Sequence, residues 1–420
     1  MQRFAAILRG NWEALLLAAV FIALISINLS SPWQYVHDDN GALFSSCART
    51  HLEKGFSVTK GQDFRMYRGK DELRPYLHHP PFVGLWLAGA FKMTGHDTPQ
   101  VARGAIAVLQ LVSFLLFWVM ATRLCKTRMG RNVAATAFAV VPMCVFFGKM
   151  PNHEAPSLMF LMLGVLASLS LGYGWTERRK LAWLILVLSW GGVCFSSWAA
   201  LFYVVGFVVA ISMDKEFKGR RDFCLVSFSA LVSFLALVLL QLAWARGWTG
   251  LAENSREVCD YLTSSAGKED GVALWTRSMC DMFWHGYRDY SAAPWCIFLG
   301  FLISGIARWF RNEAQGRSRH VCMSLVVGTI VYAAIFPKAV GVHAYHLMYI
   351  LPAVSLSCGL ALESIRGNVR LGRMVVVVAL AGLVTSCMSA RRLHHLYSRQ
   401  YEAAAVYAGK NISWQLKTFK

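Results

Sequence analysis

The chain has 420 residues, of which 56% are hydrophobic and only 15% charged, against about a quarter charged in a soluble chain. The apolar residues gather in runs of about 17 to 25, each able to cross a roughly 30 Å hydrocarbon core, which excludes a soluble globular protein. The net charge of +19 does not signal nucleic acid, because many of the cations fall in short loops between apolar runs, the positive-inside pattern of a membrane protein.

The first run, 13–30, is long and is followed by no small-residue cleavage pattern, so it reads as a span and not as a removable signal. Next comes V-H-D-D-N-G (36–41), with Asp38 and Asp39 adjacent near the membrane exit. Asp39 to Lys54 carries Ala42, Leu43, Cys47, Ala48 and Leu52 at helical spacing, with Gly55 as its stop. Pro81 to Met93 is apolar and aromatic but too short to span, and it reads as an interfacial helix. Further spans are expected at 103–123, 132–149, 155–174, 181–197, 199–213, 223–245, 292–309, 320–337, 345–363 and 374–390, about eleven in all. Residues 181–213 read either as two short spans turning at Ser196–Trp198 or as one long kinked element.

Arg128 and Arg131, Arg178 to Lys180, Lys215 to Arg221, Arg308 to Arg319 and Arg366 to Arg373 fall on one face with Arg3 and Arg9. By the positive-inside rule that face and the N-terminus are cytoplasmic, and the C-terminus is outside. The other face receives the segments 31–101 and 246–291 and the loops 149–154 and 338–344. Of the 12 histidines only His320 lies on the cytoplasmic side. Titratable groups and rigid turns concentrate where chemistry or binding occurs, so the sequence points to an extracytoplasmic site.

Five stretches carry candidate chemistry. In His37-Asp38-Asp39, Asp39 or Asn40 suits a helix cap. One acid can instead act as general base for a hydroxyl, or the pair with His37 can hold a divalent metal. His78-His79-Pro80-Pro81 offers two histidines before the interfacial helix, as interfacial polar residues, phosphate contacts or metal ligands. Lys149-Met150-Pro151-Asn152-His153-Glu154 is a whole loop, nearly all polar residues and proline, held close to the bilayer. Lys338 to Tyr349 repeats His343, His346 and Tyr349 at helical spacing, with Tyr345 beside them. Arg103 is a cation at the outer start of the second span, where snorkelling alone could place it. Together these acids, histidines, tyrosines and cations suit a substrate with a lipid tail and an anionic head. Cys259 and Cys280 share the second large outer segment and could pair in an oxidising compartment.

The order of these clusters resembles the GT-C superfamily of polyprenyl-phosphate-sugar-dependent glycosyltransferases, in the branch of the protein O-mannosyltransferases and lipid A aminoarabinose transferases. The matching stretches are D-D-N-G-A-L-F-S-S-C-A-R, H-H-P-P-F-V-G-L-W-L-A-G-A-F-K-M-T-G and V-A-R-G, followed by P-N-H-E-A-P-S-L and H-A-Y-H-L-M-Y-I-L-P. Three features depart from it. The second acid is Asp39 where relatives usually have Glu. His79 stands where Lys is frequent. No large domain is expected after the last span.

The resemblance implies an all-α polytopic GT-C fold, with amphipathic helices in the first outer loop. Residues 1–390 would form a transmembrane glycosyltransferase domain, 391–420 a short basic tail, and no separate soluble domain is expected. It implies sugar transfer from a polyprenyl-phosphate donor to an acceptor hydroxyl of unspecified kind, with inversion. The compact size and the lack of an ER retrieval signal lead to the expectation of a bacterial inner membrane. Asp38 would be the base and Asp39 its donor-contacting neighbour. Arg103, with Lys149 or Lys338, would neutralise the lipid phosphate, and His343 and Tyr345 would line the head-group site. His78, His79, His153, Glu154 and His346 complete the candidate substrate contacts. A divalent metal is the one cofactor considered. A transporter or flippase of lipid-linked sugar, or a non-catalytic binder of it, is the alternative class.

Overall fold

Proline and glycine divide the apolar runs into elements, and the breaks decide where polar side chains meet. The computed structural model describes residues 12–33, 38–66, 73–76, 79–266, 271–290, 292–310, 316–336 and 344–365. The expected span 374–390 and the tail lie outside these residues.

Helix α1 (Trp12–Ile25) leads through turns to α2 (Asp38–Lys54), which Gly55 ends with φ 77°. A glycine there enters a region that costs residues with a Cβ. A short turn α3 (Phe56–Thr59) follows, then a ribbon of β1 (Phe64–Met66) against β2 (Leu73–Pro75). The strands are antiparallel, with Arg65 opposite Arg74. This ribbon is the only β structure among the described residues. Pro81 then sets up α4 (Phe82–Thr94), which Gly95 closes in the left-handed region. Thr98 caps α5 (Pro99–Leu124) by accepting from the Val101 amide, and Pro99 occupies the first turn, where its missing N–H costs nothing.

Thr127 caps α6 (Arg128–Val140) in the same way. The span expected over 132–149 is not continuous. Pro142 cannot continue the hydrogen-bond ladder, and the chain re-forms as a wide π turn over Met143–Phe147. Helix α7 (Glu154–Gly172) follows the short polar loop. Residues 181–213 form two helices, α8 (Arg179–Ser196) and α9 (Trp198–Ser212). Ser197 is extended at φ −159° and its hydroxyl accepts from the Ala200 amide.

Helix α10 (Arg220–Ala266) is interrupted at Gly247, whose φ of 74° is not helical. At about 1.5 Å per residue its 47 residues would be far longer than a bilayer core, so its distal part leaves the membrane. The remaining helices are α11 (Gly271–Tyr290), α12 (Ala292–Phe310), α13 (Arg317–Ile335) and α14 (Leu351–Ile365). The span expected over 345–363 opens as a 3-10 turn, Ala344–Ile350. Pro352 explains this, since proline fits only the first turn of the α-helix that follows.

Six of the described helices are long and apolar enough to cross a membrane, and the chain is an integral membrane protein. Helices pack here through small residues, as expected where lipid tails are as apolar as leucine. A Cβ at Gly206 of α9 would overlap the Gly328 backbone of α13, and one at Gly328 would overlap the Tyr203 backbone. Likewise a Cβ at Gly359 of α14 would overlap the Gly130 carbonyl of α6.

Candidate functional site

Asp38 is the first residue of α2 and is buried, its side chain 8% exposed. It is not left unpaired. Arg103, one turn into α5, places Nη2 3.1 and 3.2 Å from the two Asp38 oxygens. The same guanidinium donates to the carbonyls of Leu29 (3.1 Å), Ser31 and Pro32 (3.2 Å). The Trp33 ring lies against it at 4.3 Å. Arg103 therefore ties the connection between α1 and α2 to the start of α5 and fixes Asp38 at that junction. A planar guanidinium with several fixed donors suits this role better than a lysine would. Gly41 is needed beside it, since a Cβ there would overlap the Trp33 ring.

Lys149 follows the π turn and is buried, and its ammonium donates to the Ile27 carbonyl. Burial lowers its pKa to about 7, with the nearby Arg103 acting in the same direction and Asp38 opposing both. Two cationic side chains thus share the neighbourhood of one carboxylate.

Four residues farther along the same loop, His153 and Glu154 open α7 and meet the 3-10 turn that carries His346. His153 Nε2 lies 2.7 Å and His346 Nδ1 3.3 Å from Glu154 Oε1. The His79 ring stacks flat on His153, with centroids 3.5 Å apart, and Tyr345 meets His153 edge-on at 6.3 Å. The late segment is pinned from two sides. The Tyr203 hydroxyl donates to the His346 carbonyl at 3.0 Å, and the Tyr290 hydroxyl to that of Leu347 at 2.5 Å.

A third buried polar group lies in the first large loop. His51 Nε2 is 3.0 Å from Asp63 Oδ1, and its Nδ1 is 3.0 Å from the Thr59 hydroxyl. The Asp63 carboxylate is placed at the first turn of α4, beside the Gly84 amide, where a Cβ on Gly84 would overlap it. The amides at a helix start have no intrahelical acceptor and favour a negative charge, so Asp63 serves α4 as a cap supplied from a distance. Burial nevertheless raises its pKa, with His51 and Gly84 opposing the rise.

Of the residues singled out in sequence, Asp38, Arg103 and Lys149 form one group, and His79, His153, Glu154, Tyr345 and His346 another. The 149–154 loop joins them. His37, His78, Lys338 and His343 lie outside the described residues, as do the side chains of Asp39 and Cys259. Trp33, Tyr203, Tyr290 and Tyr332 take part in holding these two groups, Asp63 belongs with His51 to the third, and none of the five carried a motif.

The family described as dolichyl-phosphate-mannose-protein mannosyltransferase matches residues 78–244. Among solved structures, the oligosaccharyltransferase of Archaeoglobus fulgidus in its apo form aligns with a TM-score of 0.61 at 11% identity. The alignment covers 91% of this chain and 56% of that one. ArnT of Cupriavidus metallidurans, solved bound to undecaprenyl phosphate, aligns with a TM-score of 0.57 at 11% identity, over 97% of this chain and 74% of that one. The chain has the GT-C fold. The archaeal enzyme has also been solved with an inhibitory peptide and dolichol-phosphate. That GT-C structure aligns with a TM-score of 0.55 at 14% identity, over 94% of this chain and 56% of that one. This chain thus spans about half the length of the archaeal enzyme. No curated protein matches it. The GT-C fold agrees with the expected polytopic helical architecture, and at these identities the likeness is one of fold.

Proposed function

We propose that this chain is a membrane glycosyltransferase that moves a sugar from a polyprenyl-phosphate donor to an acceptor hydroxyl on the extracytoplasmic side, with inversion. The observation that carries the reading is the fixed Asp38–Arg103 pair beside Lys149, on a GT-C fold whose solved neighbours bind undecaprenyl or dolichol phosphate. The family match over 78–244 supports the same reading.

In this reaction the acceptor oxygen attacks the anomeric carbon while the bond from that carbon to the lipid phosphate oxygen breaks. The state between is oxocarbenium-like. Asp38 takes the acceptor proton and ends the step as a carboxylic acid, and the donor leaves as polyprenyl phosphate. Attack opposite the leaving phosphate gives inversion. Arg103 acts through Asp38 as a positioning residue, because its donors are already engaged by the carboxylate and three carbonyls. Lys149 is the cation assigned to the departing phosphate, where charge grows as the bond breaks. Asp39 and His79 are assigned to the sugar and its acceptor, and Tyr345 to the donor head group.

The test is transfer by the full-length chain in vesicles that contain polyprenyl-phosphate sugar, with a hydroxyl-bearing lipid or peptide acceptor and release of polyprenyl phosphate as the readout. A general base contributes about 100- to 10,000-fold. Asp38→Asn should therefore lower turnover at least about 100-fold while donor binding changes little. Turnover within about twofold of the parent chain would remove Asp38 as the base.

A further inference from the structure

Asn28, just past the end of α1, has φ 60°. Among the described residues only Asn28 and Lys60 enter the left-handed region without being glycine. That conformation crowds a Cβ against the following carbonyl, and asparagine is one of the few residues with a side chain that visit it. A left-handed residue commonly stops a helix, and this stop frees carbonyls. The amides of Ile27 and Leu29 reach back only to Leu24 and Ser26, at 3.2 and 3.3 Å. In a continued helix the Ser31 amide would donate to the Ile27 carbonyl, but here it donates to that of Asn28 at 3.4 Å.

The freed carbonyls are taken by two cations. Lys149 donates to Ile27, and Arg103 donates to Leu29, Ser31 and Pro32. Asn28 lies between Ile27 and the rest, so its turn brings carbonyls from both of its sides to one place. The negative end of the α1 dipole favours cations there as well. The charged neighbours of Lys149 are Arg103, which repels it, and Asp38, which attracts it. Charge fixes no direction for an ammonium on a flexible four-carbon stem; the Ile27 carbonyl does.

We propose that Asn28 is a positioning residue for sugar transfer. Its left-handed turn aligns the Ile27 carbonyl with Lys149 and the carbonyls of Leu29, Ser31 and Pro32 with Arg103, and so holds the ammonium near the Asp38 carboxylate. Asn28 touches no reacting atom and acts through Lys149. The catalytic consequence rests on the role given above to Lys149, whereas the placement of the ammonium does not. Glycine takes a positive φ at no steric cost, but a β-branched residue is an outlier there. Asn28→Val should therefore open the turn and move the Ile27 carbonyl off Lys149, and Asn28→Gly should put it back.

The test uses the purified full-length chain in lipid nanodiscs and two readouts. The first is the rate at which Lys149 is acylated by a small activated ester, followed by mass spectrometry and independent of transfer. A hydrogen bond to a charged group is worth about 10- to 100-fold, so labelling should quicken at least about tenfold in Asn28→Val and return to the parent rate in Asn28→Gly. Cys194, buried where α8 meets α10, should stay closed to maleimide, which shows that the bundle is intact. Where Asn28→Val opens Cys194, the milder Asn28→Ala is read in its place, with the same direction expected. The second readout is transfer. Asn28→Val should lower kcat at least about tenfold with donor KM within about twofold, and should lower it no further in a Lys149→Met background. The placement is overturned if Lys149 is labelled at the parent rate in both Asn28→Val and Asn28→Ala, or if Asn28→Gly does not restore that rate. The positioning role is overturned if Asn28→Val lowers kcat as much in Lys149→Met as in the parent chain. A Lys149→Met variant that turns over like the parent would overturn the catalytic role of both residues, while labelling still decides the placement.

Discussion

Asp38 and Arg103 stand 65 residues apart in the chain and meet as a buried ion pair at 3.1 Å, with three backbone carbonyls sharing the same guanidinium. Breaking such a pair from one side strands the other charge, at about 3–5 kcal/mol. Arg103→Ala should therefore destabilise the chain by about that much, and Asp38→Ala with Arg103→Ala by clearly less than the sum of the two. Arg103→Lys should fall between, because an ammonium restores the charge but not the planar fork that serves four acceptors at once. Unfolding in mixed micelles of the two single variants and the double variant measures the coupling. Strict additivity would show that the pair does not hold this junction together.

Lys149 supplies a pH dependence with a definite sign. Its pKa in the folded chain is about 7, against the ordinary 10.5, because burial disfavours the ammonium. Between these values the folded chain binds fewer protons than the unfolded chain, so this group's contribution to stability rises with pH across that window. Below about 7 the buried ammonium is charged and costs stability. Catalysis should move the opposite way, since the ammonium is the form that serves a leaving phosphate. We expect kcat/KM to fall as pH rises through about 7, and Lys149→Arg to shift that limb upward by more than a unit. A limb that stays in place in Lys149→Arg would assign it to another group.

The polytopic helical character, with six described helices long and apolar enough to cross, is legible because bilayer thickness imposes a run length on the sequence, whatever the tertiary contacts. The break at Pro142 was not read, because apolar residues continue on both sides of it and hydropathy is blind to a lost hydrogen bond. His79, His153, Glu154 and His346 each stood out as polar residues in places that span poorly. That they meet depends on how α7 crosses the late 3-10 turn, which no spacing within either stretch encodes. In sequence Arg103 is only a cation suited to a lipid phosphate, and its engagement by Asp38 and the 29–32 carbonyls follows from the path of the α1–α2 connection. Asp63 carried no signal at all. A lone acid in a polar loop looks solvated, and only the small residue at Gly84, in the first turn of an otherwise apolar helix, hinted that something approaches there.

That approach yields a third expectation. A methyl group at position 84 would occupy the space of the Asp63 carboxylate, which is fully buried and held by His51. Overpacking of this kind costs about 1–3 kcal/mol. Gly84→Ala should lower the thermal midpoint accordingly. In an Asp63→Ser background the shorter side chain leaves room, so the same substitution should cost much less, a non-additivity expected only of residues in contact. Equal costs in both backgrounds would place the carboxylate elsewhere.

The Asp63 carboxyl also titrates in a direction opposite to that of most paired acids. Burial raises its pKa from the ordinary 3.8, while His51 and the Gly84 amide only partly oppose the rise. The folded chain therefore keeps a proton that the unfolded chain has already lost. Stability from this group is full below the unfolded pKa and declines as pH rises through the folded one. Asp63→Asn keeps the shape and an acceptor for His51 but cannot ionise. Its thermal midpoint, followed by intrinsic tryptophan fluorescence, should lack the decline that the parent chain shows as pH rises from about 4. The variant should match or exceed the parent at neutral pH, where the parent alone bears the buried charge. A variant with the parent's slope would mean that Asp63 remains ionised throughout, held by His51 and the start of α4 more strongly than burial opposes it.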